Sequence, residues 1–296
     1  ASRECLDWIP SPYLSGLLDK SLSGGLIPVI QTKRGCPFKC TFCESGADFY
    51  DLTSGFSFER IRDEFEYIAE RSRGSTLMLA DLNFGMYKED IEVCKVIAHL
   101  QKTKNGWPFY FQSFGGKNNK ERVLEAAALV KNPLFLGSVQ TTDPAILKNI
   151  KRKNVSQDVA IKISREVEAM GGNSTSELIM SLPGETKESH FNSAREMIDS
   201  GINVLRVHQL YMLPAAEVAN KETREKYGMQ TRFRIHPKTV FPYQVFGETF
   251  YAPEIDEFCV GSNTLPFEDY LECRRLTMVL EIFYNNGIFE TNFFKS

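Results

Sequence analysis

The sequence predicts an α/β chain: a partial (β/α)6 barrel followed by a C-terminal extension. Three observations carry that expectation. Short, β-rich apolar runs alternate with amphipathic stretches over the first 215 residues. The connections between runs are long enough for a crossover helix, which neighbouring parallel strands require. The units number six, short of the eight that close a complete barrel. A chain of 296 residues, 42% apolar with 22 Phe and 11 Tyr, can bury a sizeable core in one large domain.

In chain order, the candidate strands are IPVIQTKR (27–34), TLMLADL (76–82), PFYFQSF (108–114), LFLGSVQ (134–140), SELIMSL (176–182) and NVLRVHQL (203–210). Each is a run rich in β-branched or aromatic residues bounded by turn formers. Between them lie FERIRDEFEYIAERS, KEDIEVCKVIAHLQK, KERVLEAAALVKN, DPAILKNIKRKN continuing into VAIKISREVEAMGG, and KESHFNSAREMIDSG. TTDP and MYKED supply helix starts, while EAMGG and IDSG place glycine where a helix closes in the left-handed conformation. Residues 1–26 are expected as a connector or N-terminal extension, 27–215 as the barrel and 216–296 as an extension packed on it. That extension holds the charged segment EVANKETREKYG, the aromatic run HPKTVFPYQVFGETFY, a helix near 266–286 and the tail GIFETNFFKS. The aromatic run has two open readings: a lining for the open side of the barrel, or edge-strand packing.

A net charge of −3 with interspersed signs gives no general attraction to nucleic acid or an anionic membrane. No apolar run reaches the roughly 18 residues of a membrane span, and ASRECLDWIP lacks the marks of a signal peptide. The default expectation is a cytoplasmic protein. Seven cysteines, four of them scattered, fit a reducing compartment with one special cluster better than a disulfide framework.

That cluster is RGCPFKCTFCESG, which holds Cys36, Cys40 and Cys43 just beyond the first predicted strand. Ligands of parallel βα folds gather at this end of the strands. A structural zinc site takes four protein ligands, and no fourth Cys or His stands nearby. Three thiolates suit a four-iron, four-sulfur cubane whose fourth iron stays open, with Gly35 and Pro37 shaping a tight loop.

The CxxxCxxC spacing, with Phe42 just before the last cysteine, resembles the hallmark of the radical S-adenosylmethionine superfamily. The resemblance covers nearly the whole chain and implies a [4Fe-4S] cluster on Cys36, Cys40 and Cys43 with S-adenosylmethionine beside it. SELIMSLPGET resembles the family's fifth-strand segment and places Glu177 at the cofactor ribose. LGSVQTTDPAILKNIKRKN resembles its fourth-strand segment and places Gln140 and Arg152 near the methionyl part. LADLNFGM ends the second strand where the family cradles the methionine amino group, here with Asp81, Leu82 and Asn83 in place of the usual glycines. YMLPAAEV resembles YMLPGTEL and adds Tyr211 to the cofactor-binding candidates. The implied reaction is reductive cleavage of S-adenosylmethionine to a 5′-deoxyadenosyl radical that abstracts hydrogen from a small-molecule or peptide substrate. An electron donor such as flavodoxin or ferredoxin is implied as partner. LDWIPSPYLSGLLDK resembles the connector after a cobalamin-binding domain, so the chain is read either as the catalytic part of a longer protein or as a relative lacking that domain. Where the domain is present, cobalamin is implied as a further cofactor and methyl transfer as the commonest reaction, beside ring contraction and cyclisation.

Other readings stay open beside this one: a tRNA-modifying methylthiotransferase, and an iron-sulfur redox or scaffold protein without radical chemistry. The histidines form no HExxH or close pair, and His208, on the sixth strand, is read as a packed core residue in preference to one facing the barrel. KNIKRKN is read as a solvated helix end, NVS and NST as chance sequons. Neither a GxxxxGK phosphate loop nor a GxSxG elbow occurs.

Overall fold

The computed structural model describes residues 5–116, 120–136, 138–154, 174–236 and 239–285. Six strands form one sheet in chain order: β1 (Val29–Ile30), β2 (Thr76–Leu79), β3 (Tyr110–Phe114), β4 (Pro133–Leu136), β5 (Thr175–Met180) and β6 (Val204–Gln209). Every neighbouring pair is parallel. β1 and β6 are the two edges, so the sheet is open. On the connections lie α1 (Phe58–Arg71), α2 (Glu89–Thr103), α3 (Lys120–Leu129), α4 (Pro144–Asn149) and α5 (Lys187–Asp199). The predicted helix VAIKISREVEAMGG and the tail GIFETNFFKS lie outside the described residues.

Local chemistry explains the boundaries. Ser57 caps α1 by accepting from the Arg60 backbone N–H, and Thr186 and Ser189 form a reciprocal capping box at α5. In TTDP, Asp143 accepts from the N–H groups of Ala145 and Ile146, with Pro144 at the first helical position. β1 is shorter than the run that predicted it. Lys33 and Arg34 leave the sheet to pair antiparallel with Ser54 and Gly55, which turns the chain into the cysteine loop.

Side chains alternate across the sheet. Leu77, Leu79 and Phe111 pack with Phe65, Ile68, Ile97 and Leu100 of α1 and α2 into one core. Leu178, Met180, Leu205 and Val207 pack with Ala194 and Met197 of α5 into a second. Phe65 and Phe111 are fully buried, each contributing roughly 1.5–3 kcal/mol. The opposite face carries Met78 beside Gln112, Glu177 beside Arg206 and Ile179 beside His208.

The segment before β1 packs on the first core through Tyr13 and Leu22, and the Tyr13 hydroxyl donates to the Val29 carbonyl at 2.6 Å. Beyond β6 come α6 (Lys221–Tyr227), β7 (Gln230–Ile235), β8 (Pro242–Val245), β9 (Glu248–Tyr251), β10 (Ile255–Gly261) and α7 (Phe267–Val279). β10 pairs antiparallel with β7. It also joins the barrel: Met212 N–H donates to the Glu257 carbonyl at 2.9 Å and Cys259 N–H to the Leu210 carbonyl at 3.0 Å. Tyr270 and Cys273 of α7 complete the second core. The β8–β9 hairpin differs: every residue in both strands is exposed, so the aromatic run does not pack as a buried edge strand. Among the described residues, no helix is long and apolar enough to cross a membrane.

Candidate functional site

The loop after β1 is tied down along its length. Cys36 N–H donates to the Tyr50 carbonyl at 2.8 Å and Thr41 N–H to Ile150 at 3.1 Å, while the Thr41 carbonyl accepts from Val218 N–H at 2.8 Å. Gly35 has φ +103°, and a Cβ there would lie 2.2 Å from the Leu52 carbonyl oxygen. At Gly46 a Cβ would lie 2.3 Å from the Cys40 carbonyl oxygen. The loop therefore needs glycine at both places. Cys36 and Cys40 are buried and Cys43 is half-buried. Phe42 anchors the loop by packing against the core of Ile146, Leu182 and Met212.

Among the described residues, no three His, Cys, Asp or Glu side chains converge on one point as the ligands of a single ion would. A cubane makes no such demand, because its irons take one thiolate each.

Donors among the described residues reach the cysteine sulfurs. Asn83 Nδ2 lies 3.3 Å from Cys36 Sγ, and Arg152 Nη1 lies 3.9 Å from Cys40 Sγ. Arg152 is 7% exposed; its Nε donates to Asn154 Oδ1 at 2.9 Å and its Nη2 to the Ser138 carbonyl. Burial pulls its pKa down, opposed by the Cys40 sulfur beside it. Ser138 in turn donates its hydroxyl to Glu177 Oε2 at 2.6 Å, and His208 Nε2 lies 3.3 Å from Glu177 Oε1. The His208 hydrogen bond holds the Glu177 carboxyl below its ordinary value, against the opposing effect of burial.

Several acceptors at this end of the strands have no partner. Asn83 Oδ1, just beyond β2, Gln140 Oε1, just beyond β4, Thr41 Oγ1 in the cysteine loop and Ser181 Oγ at the end of β5 are buried and unpaired. Gln140 stands at φ +72° between backbone bonds to Glu177 and Ile179, which hold its side chain there. Unpaired buried polar atoms cost about 1–3 kcal/mol each, so a cluster of them marks a place built for something else to bind.

The Asp81 side chain is committed within the fold. Its carboxylate accepts from Thr32 N–H at 2.7 Å, from the Thr32 hydroxyl and from Lys33 N–H at 3.3 Å, clasping the ends of β1 and β2. Burial pushes its pKa up to about 6. Only its backbone remains for a ligand. Tyr211 sits at the junction of β6 and β10 with its ring 4.5 Å from that of Phe258.

His208 corrects the sequence reading. It is not packed in a core but lies on the open face of β6, 48% exposed, bonded to Glu177. Ser138 was not singled out in the sequence. Nor was Glu185 of LPGET, whose buried carboxylate accepts from Ser181 and Leu182 N–H and meets His190 Nδ1 at 3.1 Å.

The Radical SAM superfamily profile matches residues 30–197, from β1 to α5. The chain belongs to the radical SAM superfamily. Two curated relatives align over 287 residues, 93% of this chain: the cobalamin-dependent radical SAM methyltransferase TokK of Streptomyces tokunonensis, 29% identical, and the 2-(S-pantetheinyl)-carbapenam-3-carboxylate methyltransferase of Streptantibioticus cattleyicolor, 26% identical. The chain spans 41% of the length of each of these two relatives. The radical SAM fold is seen again in TsrM from Kitasatospora setae, solved with tryptophan substrate and a SAM analogue. It superposes with a TM-score of 0.66 at 14% identity, over 88% of this chain and 53% of that one.

Proposed function

We propose that this chain is the catalytic part of a radical SAM enzyme in which Cys36, Cys40 and Cys43 hold a [4Fe-4S] cluster with one open iron. The observation that carries the reading is the juxtaposition at one end of the sheet: three cysteines on a tied-down loop, with Asn83 against Cys36 and buried acceptors without protein partners in that loop and just beyond the strands. When bound, the cluster supplies one electron that cleaves S-adenosylmethionine to a 5′-deoxyadenosyl radical able to take hydrogen from a substrate.

The chain's own residues bind and orient. Glu177, kept ionised by His208, accepts hydrogen bonds from the ribose hydroxyls, and charge-assisted bonds are the stronger kind. Asn83 Oδ1 and Gln140 Oε1 accept from the methionyl amino group, with the Asp81 backbone beside them. Phe42 holds the cysteine loop to the core beneath it, and Tyr211, against Phe258, holds the end of β6 to the extension.

Cobalamin-dependent methyl transfer to a small-molecule substrate is the activity we infer for the whole protein, since both curated relatives are named methyltransferases and one is named cobalamin-dependent. Residues 1–26 then serve as the connector from a cobalamin-binding domain, 27–215 as the barrel and 216–296 as its extension, with a flavodoxin or ferredoxin as electron donor. The test is anaerobic reconstitution with iron and sulfide, then S-adenosylmethionine and dithionite. Stoichiometric iron and sulfide with release of 5′-deoxyadenosine is expected; a loaded chain that leaves S-adenosylmethionine intact would return it to the redox or scaffold class.

A further inference from the structure

We propose that Arg152, together with Asn83, serves the cluster and not the cofactor carboxylate: their N–H groups stabilise negative charge on the Cys40 and Cys36 sulfurs and set the cluster's reduction potential. This rests on the cluster reading above. A guanidinium keeps its proton even when buried, so a buried Arg152 requires a compensating anion. Groups near enough to favour its charge include Cys40, Cys43 and Glu177. Glu177 is already held by Ser138 and His208. The cysteine sulfurs remain, with Nη1 3.9 Å from Cys40 Sγ.

The geometry also argues against a carboxylate grip. A two-pronged bond to a carboxylate uses two neighbouring nitrogens of the guanidinium fork. Here Nε has Asn154, Nη2 has the Ser138 carbonyl and Nη1 has Cys40, so neither edge is wholly free. Asn83 repeats the arrangement on the other buried cysteine with a neutral donor, Nδ2 at 3.3 Å from Cys36 Sγ. One-electron reduction adds a negative charge to the cluster, forming and breaking no bond on these residues. Donors to the sulfurs stabilise that added charge and raise the potential. Arg152, being charged, has the larger effect.

The experiment uses the full chain, reconstituted with iron and sulfide, as wild type, Arg152→Gln, Arg152→Lys and Asn83→Leu. Three quantities are read: iron and sulfide content, midpoint potential by redox titration monitored by electron paramagnetic resonance, and S-adenosylmethionine affinity by calorimetry. Arg152→Gln is expected to load its cluster yet hold about tenfold less of it reduced at a fixed solution potential, a shift of ~59 mV for a one-electron couple. Its affinity for S-adenosylmethionine stays within about twofold, since no cofactor contact is lost. Asn83→Leu shifts the potential the same way by less, and Arg152→Lys recovers part of the loss. An unchanged potential with affinity reduced tenfold or more overturns the proposal and returns Arg152 to the cofactor carboxylate. If Arg152→Gln fails to load, the same titration of Arg152→Lys and Asn83→Leu decides, and wild-type potentials in both overturn it. A wild-type chain that takes up no iron and sulfide removes the cluster reading itself, and this inference with it.

Discussion

The cysteine loop and the β8–β9 hairpin both leave the sheet, and both stand out in the sequence, yet the structure treats them in opposite ways. The loop is tied to residues 50, 150 and 218 by backbone hydrogen bonds and has no room for a methyl group at Gly35 or Gly46. The hairpin exposes both faces, and Phe246 at its tip is 102% exposed. Aromatic content is therefore a poor guide to rigidity in this chain. Cysteine spacing is a better one here, because residues that would share a cluster need a fixed backbone, whereas an apolar side chain only needs somewhere to go.

The comparison breaks most decisively at the cysteines. Cys36→Ala, Cys40→Ala or Cys43→Ala should each abolish cluster assembly, read as loss of the broad visible absorbance and of bound iron; full iron and sulfide in a triple variant would end the cluster reading. Next comes Gly46→Ala, which drives a methyl group into the Cys40 carbonyl and should cost about 3 kcal/mol in urea unfolding. A wild-type midpoint would mean that the loop is softer than its contacts suggest. Glu177→Ala should then weaken S-adenosylmethionine binding by about 1.5–3 kcal/mol while iron content holds, with an unchanged dissociation constant removing Glu177 from the ribose. The smallest effect belongs to the hairpin: Phe246→Ser should alter stability by under about 0.5 kcal/mol, and a loss several times larger would show that its aromatic tip is packed after all.

Much of the barrel was legible because it is periodic. Alternation across β5 and β6 sorts Leu178 and Val207 to the helices and Glu177 and His208 to the open face, a pattern that two-residue spacing encodes locally. The cysteines and Glu177 were singled out by motif. The partners of those residues were not: 112 positions separate Arg152 from Cys40, and 39 separate Ser138 from Glu177. Only the folded sheet brings such pairs together, and no spacing rule reports them. His208 was misread because a histidine inside an apolar strand gives no local sign of whether its face is covered. The shortness of β1 follows likewise from a distant segment, Ser54–Gly55, competing for its last residues.

Ser138 is held from two directions, its carbonyl by Arg152 and its hydroxyl by Glu177. It therefore acts as a mechanical link between the sulfur of Cys40 and the carboxylate on the open face. Groups sharing one network have non-additive energies, and thermodynamic reciprocity makes the coupling symmetric. A ligand that immobilises Glu177 is then expected to steady the guanidinium at the thiol, and charge placed on the cysteine loop to sharpen the hold on Glu177 in return. If the cysteines and Glu177 bind as proposed, events at the two should be felt through this one serine, and removing its hydroxyl should loosen both.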